Sequence, residues 1–238
     1  MEIHKVHIPD GYLSPQTYIP LYGVSAAFWA VAIKKIKKEL SHKHVPYLAM
    51  AAAFSFLIMM FNIPIPGGTT GHAVGAGIIA ILLGPWAAVL AVSVVLIIQA
   101  IIFGDGGITA IGANCFNMAV VIPFVSYGVF ILLKGKGKSA RFYIAAFLAG
   151  YTGISAAAII TGVEFGIQPL IASAPDGTPL YAPYPLSITV PAMAIEHLAL
   201  FAIIEGIVTV IILKYFIRNE PELVYSLRGT VHESIQDA

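Results

Sequence analysis

The sequence predicts an all-α bundle that crosses a membrane about seven times, and three observations carry that fold class. The 238 residues are 58% hydrophobic and only 11% charged, where a soluble domain carries about 25% charged side chains, and mean hydropathy is +0.87. The apolar residues fall into long runs separated by turn and charge signals, without the alternation that strands of a membrane barrel require. The lysines and arginines collect in three clusters whose spacing fits a single topology. A spanning helix takes about 20 apolar residues, so a chain of this length holds roughly six to eight spans and no separate soluble catalytic domain. The net charge of +1 makes no field that would gather phosphates, which excludes nucleic acid as a partner. A single cysteine, Cys115, excludes an internal disulfide. The opening MEIHKVHIPDGYLSP has neither a long apolar stretch behind a basic segment nor a small-residue cleavage site, so no removable signal peptide is expected.

The spans follow in order. Gln16–Ile33 stops at a lysine run, and Pro46–Phe61 stops at Asn62 and the Pro/Gly-rich stretch after it. His72–Leu83 is short and is divided from Trp86–Phe103 by Gly84-Pro85, so these two read either as separate spans or as a broken pair lining a cavity. Cys115–Leu133 runs from a Gly-rich connection to Lys134, Phe142–Phe165 follows Arg141, and Ile188–Ile217 ends at Arg218. Residues 1–217 form one membrane domain, and 218–238 form a polar tail. Neither an internal repeat nor a low-complexity tract interrupts them.

Lys34, Lys35, Lys37, Lys38 and Lys43 follow the first span; Lys134, Lys136, Lys138 and Arg141 follow the fifth; Lys214 and Arg218 close the seventh. Seven helices put every cluster on one side, and the positive-inside rule makes that side cytoplasmic, with the N-terminus outside and the tail inside. A helix missed between clusters would have sent a later cluster to the wrong side. The uncommon polar residues then meet on the outer face, as in a device that captures something from outside.

His7 opens HIPDGYLSP, where Pro9 holds Ile8 extended and Asp10-Gly11 makes a turn, so the histidine has a defined direction. Alone, this is a loop that orients the first helix; with a partner elsewhere it becomes a metal ligand. His72 is the available partner, directly after the glycines and threonines of PIPGGTTGHAVGAG, where Gly67, Gly68 and Gly71 permit a close backbone path into a helix start. Small-residue packing accounts for these glycines and leaves His72 unexplained. In the connection FGDGGITAIGANCFNMA, Asp105 and Asn114 are candidates for a vestibule or for groups that orient metal ligands, against a plain capping role for Asp105. Asp10 and His197 join that set. Glu205 and Glu196 in the last span and Glu164 in the sixth are ionisable groups in apolar helices, which are expensive there; for Glu205 a structural hydrogen bond stands against proton or ion coupling.

Two enzyme signatures fail. Glu196-His197 lacks the second histidine of an H-E-x-x-H helix. Gly135-Lys136-Gly137-Lys138-Ser139 imitates the end of a P-loop, but Leu132 occupies the first glycine position and no strand precedes it. The chain is read as no enzyme, with ATP hydrolysis left to partners.

The HIPDGYLSP, PIPGGTTGHAVGAG and FGDGGITAIGANCFNMA blocks and the late EHLALFAIIEG helix together resemble the CbiM/NikM family, the substrate-binding membrane subunits of nickel and cobalt energy-coupling-factor transporters. The resemblance runs from His7 to about Ile217, and the GGTTGHAVG form is closer to the nickel branch, which implies nickel first and cobalt second as the transported ligand, with no resident cofactor. It implies a cell-membrane location, a transmembrane coupling subunit, two cytoplasmic ATPase subunits and often a small accessory membrane subunit as partners. Ala26 and Ala30 resemble the small-residue pattern that meets the coupling subunit. The family's ligands are a terminal amine, the amide and imidazole of the histidine after it, and the histidine of the Gly-rich loop, which match His7 and His72. Four nitrogens in a plane suit Ni(II). This chain departs in having MEIHK before Val6. Valine codons include GTG, an alternative start read as methionine, so the working chain is expected to begin at position 6 and place its amino group beside His7. The alternatives are a membrane metal sensor or scaffold without an ATPase and, further behind, a membrane enzyme using Glu164, Glu196 and His197.

Overall fold

A computed structural model describes residues 7–39, 45–65, 69–135 and 139–224. His4, Val6, Lys43, Gly67, Gly68, Lys136, Lys138 and the tail beyond Val224 lie outside the described residues. The chain is mostly helical: α1 Pro15–Glu39, α2 Val45–Met59, α3 Ala76–Leu83, α4 Pro85–Phe103, α5 Ile111–Leu133, α6 Ala140–Ile171 and α7 Leu186–Asn219. Among the described residues α1, α4, α5, α6 and α7 are long and apolar enough to cross a membrane, while α2 is shorter and α3 has 8 residues. At 34 residues, α7 is about 50 Å long. It therefore outreaches a hydrocarbon core of about 30 Å and must tilt or project beyond it.

The boundaries differ from the sequence expectation at two informative places. Helix α5 starts at Ile111 and so takes in Asn114, which the sequence places in a loop. The third span does not begin at His72. Its helix starts at Ala76, after an antiparallel hairpin of β1 Ile63–Ile65 with β2 Thr69–Gly71, paired Ile63 to Gly71, and an irregular stretch from His72 to Gly75. Pro64 favours extended backbone, and Gly75 adopts φ +72, with the Phe54 ring against it. A side chain at Gly75 would strain the backbone and strike that ring. This hairpin is the one sheet among the described residues and a departure from a purely helical expectation.

Helix α3 is apolar on every side, and each residue from Ala76 to Leu82 is buried; such a helix belongs in the middle of a bundle. It packs against α4, α5, α6 and α7. Ile79, Val92, Leu96, Ile111, Cys115, Ile122, Ile154 and Phe201 close one continuous core around it. Cys115 is a buried free thiol within that core. At the far end of α1, Lys35 Nζ lies 4.8 Å above the Trp86 ring, which brings the first basic cluster to the turn between α3 and α4. Trp29 Nε1 donates to Ser93 Oγ at 2.8 Å and Ser25 Oγ to the Gly112 carbonyl at 2.7 Å, tying α1 to α4 and α5. Ala26 and Ala30 lie on the exposed side of α1.

Three helices contain a π-helical turn: Gln99–Phe103 in α4, Cys115–Val121 in α5 and His197–Phe201 in α7. Each lies in the part of its helix nearest the connections that converge on residues 7–14.

Candidate metal centre

Residues 7–14 form an irregular segment held from several sides. Asn114 grips the Ile8 peptide units at both groups: Oδ1 accepts from Ile8 N and Nδ2 donates to Ile8 O, each at 3.1 Å. Gly107 N donates to the same carbonyl at 2.9 Å. The Asp10 carboxylate accepts from Ile108 N at 3.1 Å, Thr109 N at 2.8 Å and the Thr109 hydroxyl at 2.5 Å. The Tyr22 hydroxyl donates to the Ile108 carbonyl, closing the connection onto α1. Gln168 Oε1 accepts from Ser14 N at 2.9 Å, and Ala182 N donates to Tyr12 O at 3.1 Å. The two backbones approach so closely that a Cβ on Gly107 would stand 2.2 Å from Asp10 N, which only glycine permits. The physical result is a terminal segment without secondary structure that nevertheless has a fixed path.

That path sets His7 against His72. Their rings have centroids 5.0 Å apart and planes at 86°. Both residues are buried, at 4% and 6% exposure. Imidazole nitrogens sit about 2.0–2.1 Å from a bound divalent ion, which places the centroids of two neighbouring ligand rings roughly 4.5–5 Å apart. The tautomers follow from the acceptors. His72 Nδ1 lies 3.0 Å from the Ala73 carbonyl, so Nδ1 carries the proton and Nε2 the lone pair. His7 Nδ1 faces the Asp105 carbonyl at 3.5 Å and its carboxylate at 3.7 Å, again two acceptors, though at distances too long to hold the ring firmly. His7 Nε2 is buried with no hydrogen-bond partner among the described residues. A buried lone pair of this kind costs free energy unless something occupies it. Desolvation lowers the His7 pKa below the ordinary histidine value and outweighs the Asp105 charge, so the ring is neutral and the contact is not an ion pair.

The other sequence-derived residues divide clearly. Asp105 lies beside His7, Asn114 and Asp10 act on the backbone of the terminal segment, and Val6 lies outside the described residues. His197 donates Nδ1–H to the Met193 carbonyl at 2.9 Å within its own helix and packs on Phe201 at 5.5 Å; it makes no described hydrogen bond to either ring. Two contributors escape the sequence reading. Gln168 binds Ser14 N and donates Nε2–H to Thr17 Oγ1 at 2.9 Å and to the Glu164 carbonyl at 2.6 Å; its one signal was a glutamine after an apolar run. Gly107 was legible only as part of a Gly-rich connection. No group of three or more His, Cys, Asp or Glu side chains able to hold a metal occurs among the described residues.

The chain is similar to several known proteins. Over 226 residues the chain is 55% identical to the fused nickel transport protein NikMN of Rhodobacter capsulatus, covering 94% of this chain and 65% of that protein. The chain thus spans about two thirds of that relative's length. It is 39% identical over 164 residues to the cobalt transport protein CbiM of Ruminiclostridium cellulolyticum, covering 68% of this chain and 65% of the relative. A crystal structure of a truncated transition metal transporter superposes with TM-score 0.85 at 47% identity, covering 89% of this chain and 98% of that one. The profile of the CbiM family, described as the cobalt uptake substrate-specific transmembrane region, matches residues 7–223. This multi-pass membrane chain belongs to the CbiM family.

Proposed function

We propose that the chain is the metal-capturing component of an energy-coupling-factor importer, taking Ni(II), and Co(II) second, from outside the cell. The observation that carries this reading is the meeting of His7 and His72, one from an irregular terminal segment and one from an irregular stretch between a hairpin and a buried helix. The nickel relative's 55% identity over nearly the whole chain supports nickel as first choice. That relative is named a fused protein and extends beyond the matched stretch, which supports partner modules: a coupling subunit, two ATPase subunits that hydrolyse ATP, and a small accessory subunit. Ala26 and Ala30, exposed on α1, suit the coupling contact.

With two imidazoles from side chains, the remaining nitrogens come from the backbone and the amino terminus. A terminal amine at position 6 and the His7 amide close a five-membered ring on the metal, and the His7 imidazole completes the chelate through Nδ1, the ring nitrogen that reaches its own amide. In the structure Nδ1 faces Asp105. Metal capture by this chelate therefore requires the His7 ring to leave Asp105 and its proton to pass from Nδ1 to Nε2, which frees the Nδ1 lone pair for the ion. His72 closes the square through Nε2.

Metal analysis of the purified protein tests the reading. One equivalent of nickel is expected, displacing cobalt when the two compete; a chain that retains neither ion overturns it. The orientation has its own test on a Cys115→Ala background. A cysteine at Asp176 is expected to react with an impermeant thiol reagent from outside and a cysteine at Lys134 only from inside; outside labelling at position 134 overturns the N-outside arrangement.

A further inference from the structure

We infer that Glu205 is a positioning residue for His72, acting through the peptide unit between Ala73 and Val74. The inference rests on His72 being a metal ligand for its functional meaning, and on the hydrogen-bond geometry alone for the relay itself.

The stretch from His72 to Gly75 is buried and belongs to neither strand nor helix. Backbone groups in such a place need acceptors and donors from elsewhere, most of all where no water reaches. Glu205, fully buried in the middle of α7, supplies the acceptors. Val74 N donates to Oε2 at 2.8 Å, and Gly75 N donates to Oε1 at 2.9 Å and to Oε2 at 3.1 Å. Among the described residues no salt bridge to this carboxyl is found, and peptide N–H groups are the donors to its oxygens. That answers why an acid stands in an apolar helix.

One of those donors has a second connection. The Val74 N–H and the Ala73 carbonyl belong to one peptide unit, and the Ala73 carbonyl is the acceptor of His72 Nδ1–H at 3.0 Å. The carboxylate therefore pulls on the N–H end of a peptide whose oxygen end holds the imidazole. Bonds in such a chain polarise one another, so the carbonyl becomes a stronger acceptor, the Nδ1–H tautomer is held, and Nε2 gains basicity toward a metal. Carboxylate–histidine–metal arrangements do this by direct contact. Here one peptide unit stands between. Ser55 Oγ, by comparison, donates to the next carbonyl, that of Val74, at 2.9 Å; it anchors the same stretch without touching that peptide's N–H or the ring's acceptor.

The test uses the full chain, metal-free and then titrated with Ni(II). In the wild type, the imidazole nitrogen shifts of His72 in NMR should show the Nδ1–H tautomer. Glu205→Gln should produce a mixture of tautomers and a nickel affinity lower by about 10–100-fold, while Ser55→Ala should keep the tautomer. An unchanged tautomer in folded Glu205→Gln, or an equal change in Ser55→Ala, overturns the relay. Should Glu205→Gln fail to fold, Glu205→Asp carries the test: its carboxylate is set back by one methylene, so a partial tautomer shift supports the relay and a wild-type spectrum overturns it. A tautomer shift in a chain whose wild type binds no nickel supports the relay and overturns the proposed function instead.

Discussion

His72→Ala removes high-affinity nickel binding and leaves the bundle folded. The lost ring is a direct ligand in the proposed site, so the expected loss exceeds the roughly 10–100-fold that a change one shell further out produces. The fold is expected to survive because the His72 ring lies outside the apolar clusters, and its one described hydrogen bond reaches only the neighbouring Ala73 carbonyl. Glu205 and Ser55 continue to hold Val74 and Gly75. Calorimetric titration with Ni(II) reads the affinity and circular dichroism the helix content. Wild-type affinity in the variant would move the site to His4, His7 and His197.

The start of the chain should matter nearly as much. A form beginning at position 6 as Met-His-Ile-Pro is expected to bind nickel far more tightly than the form beginning at Met1. Only the short form puts a primary amine one peptide from the His7 nitrogen. Acetylating the amine of the short form should undo the gain, because it removes that one donor and leaves every side chain in place. Bound Ni(II) should be square planar in the short form and lose that spectrum on acetylation. Equal affinities across the three forms would show that the amine is no ligand, and mass spectrometry of the native N-terminus shows which form cells make.

The long helices were legible because apolar runs of 15 to 30 residues bounded by Lys, Gly and Pro leave a bundle few alternatives. The histidine pair was legible as two separate motifs, each with a residue type its surroundings did not explain. What brings the motifs together was not. Asn114 reaches Ile8 across 106 residues and Glu205 reaches Val74 across 131, and such contacts leave no periodic trace. The start of α3 was misplaced for the same reason: local rules put the helix directly after the glycines, whereas a carboxylate from α7 satisfies the N–H groups that a helix would otherwise have to cap. The sequence leaves a structural hydrogen bond open for Glu205, and the geometry adds what it holds. The π turns were not legible because their extra residue is apolar like its neighbours.

Those turns have a bearing on how such a site changes over time. Each additional residue in a helical turn rotates everything beyond it by about 100°, and π turns of this kind are commonly single insertions kept near functional positions. The stretches Gln99–Phe103, Cys115–Val121 and His197–Phe201 lie toward the connections around the two histidines, and Ala100, Cys115, Ala119 and Phe201 within them also belong to the apolar core. An insertion or deletion there would turn one end of a helix against that core, so the aim of side chains near His7 and His72 and the packing beneath them are set together.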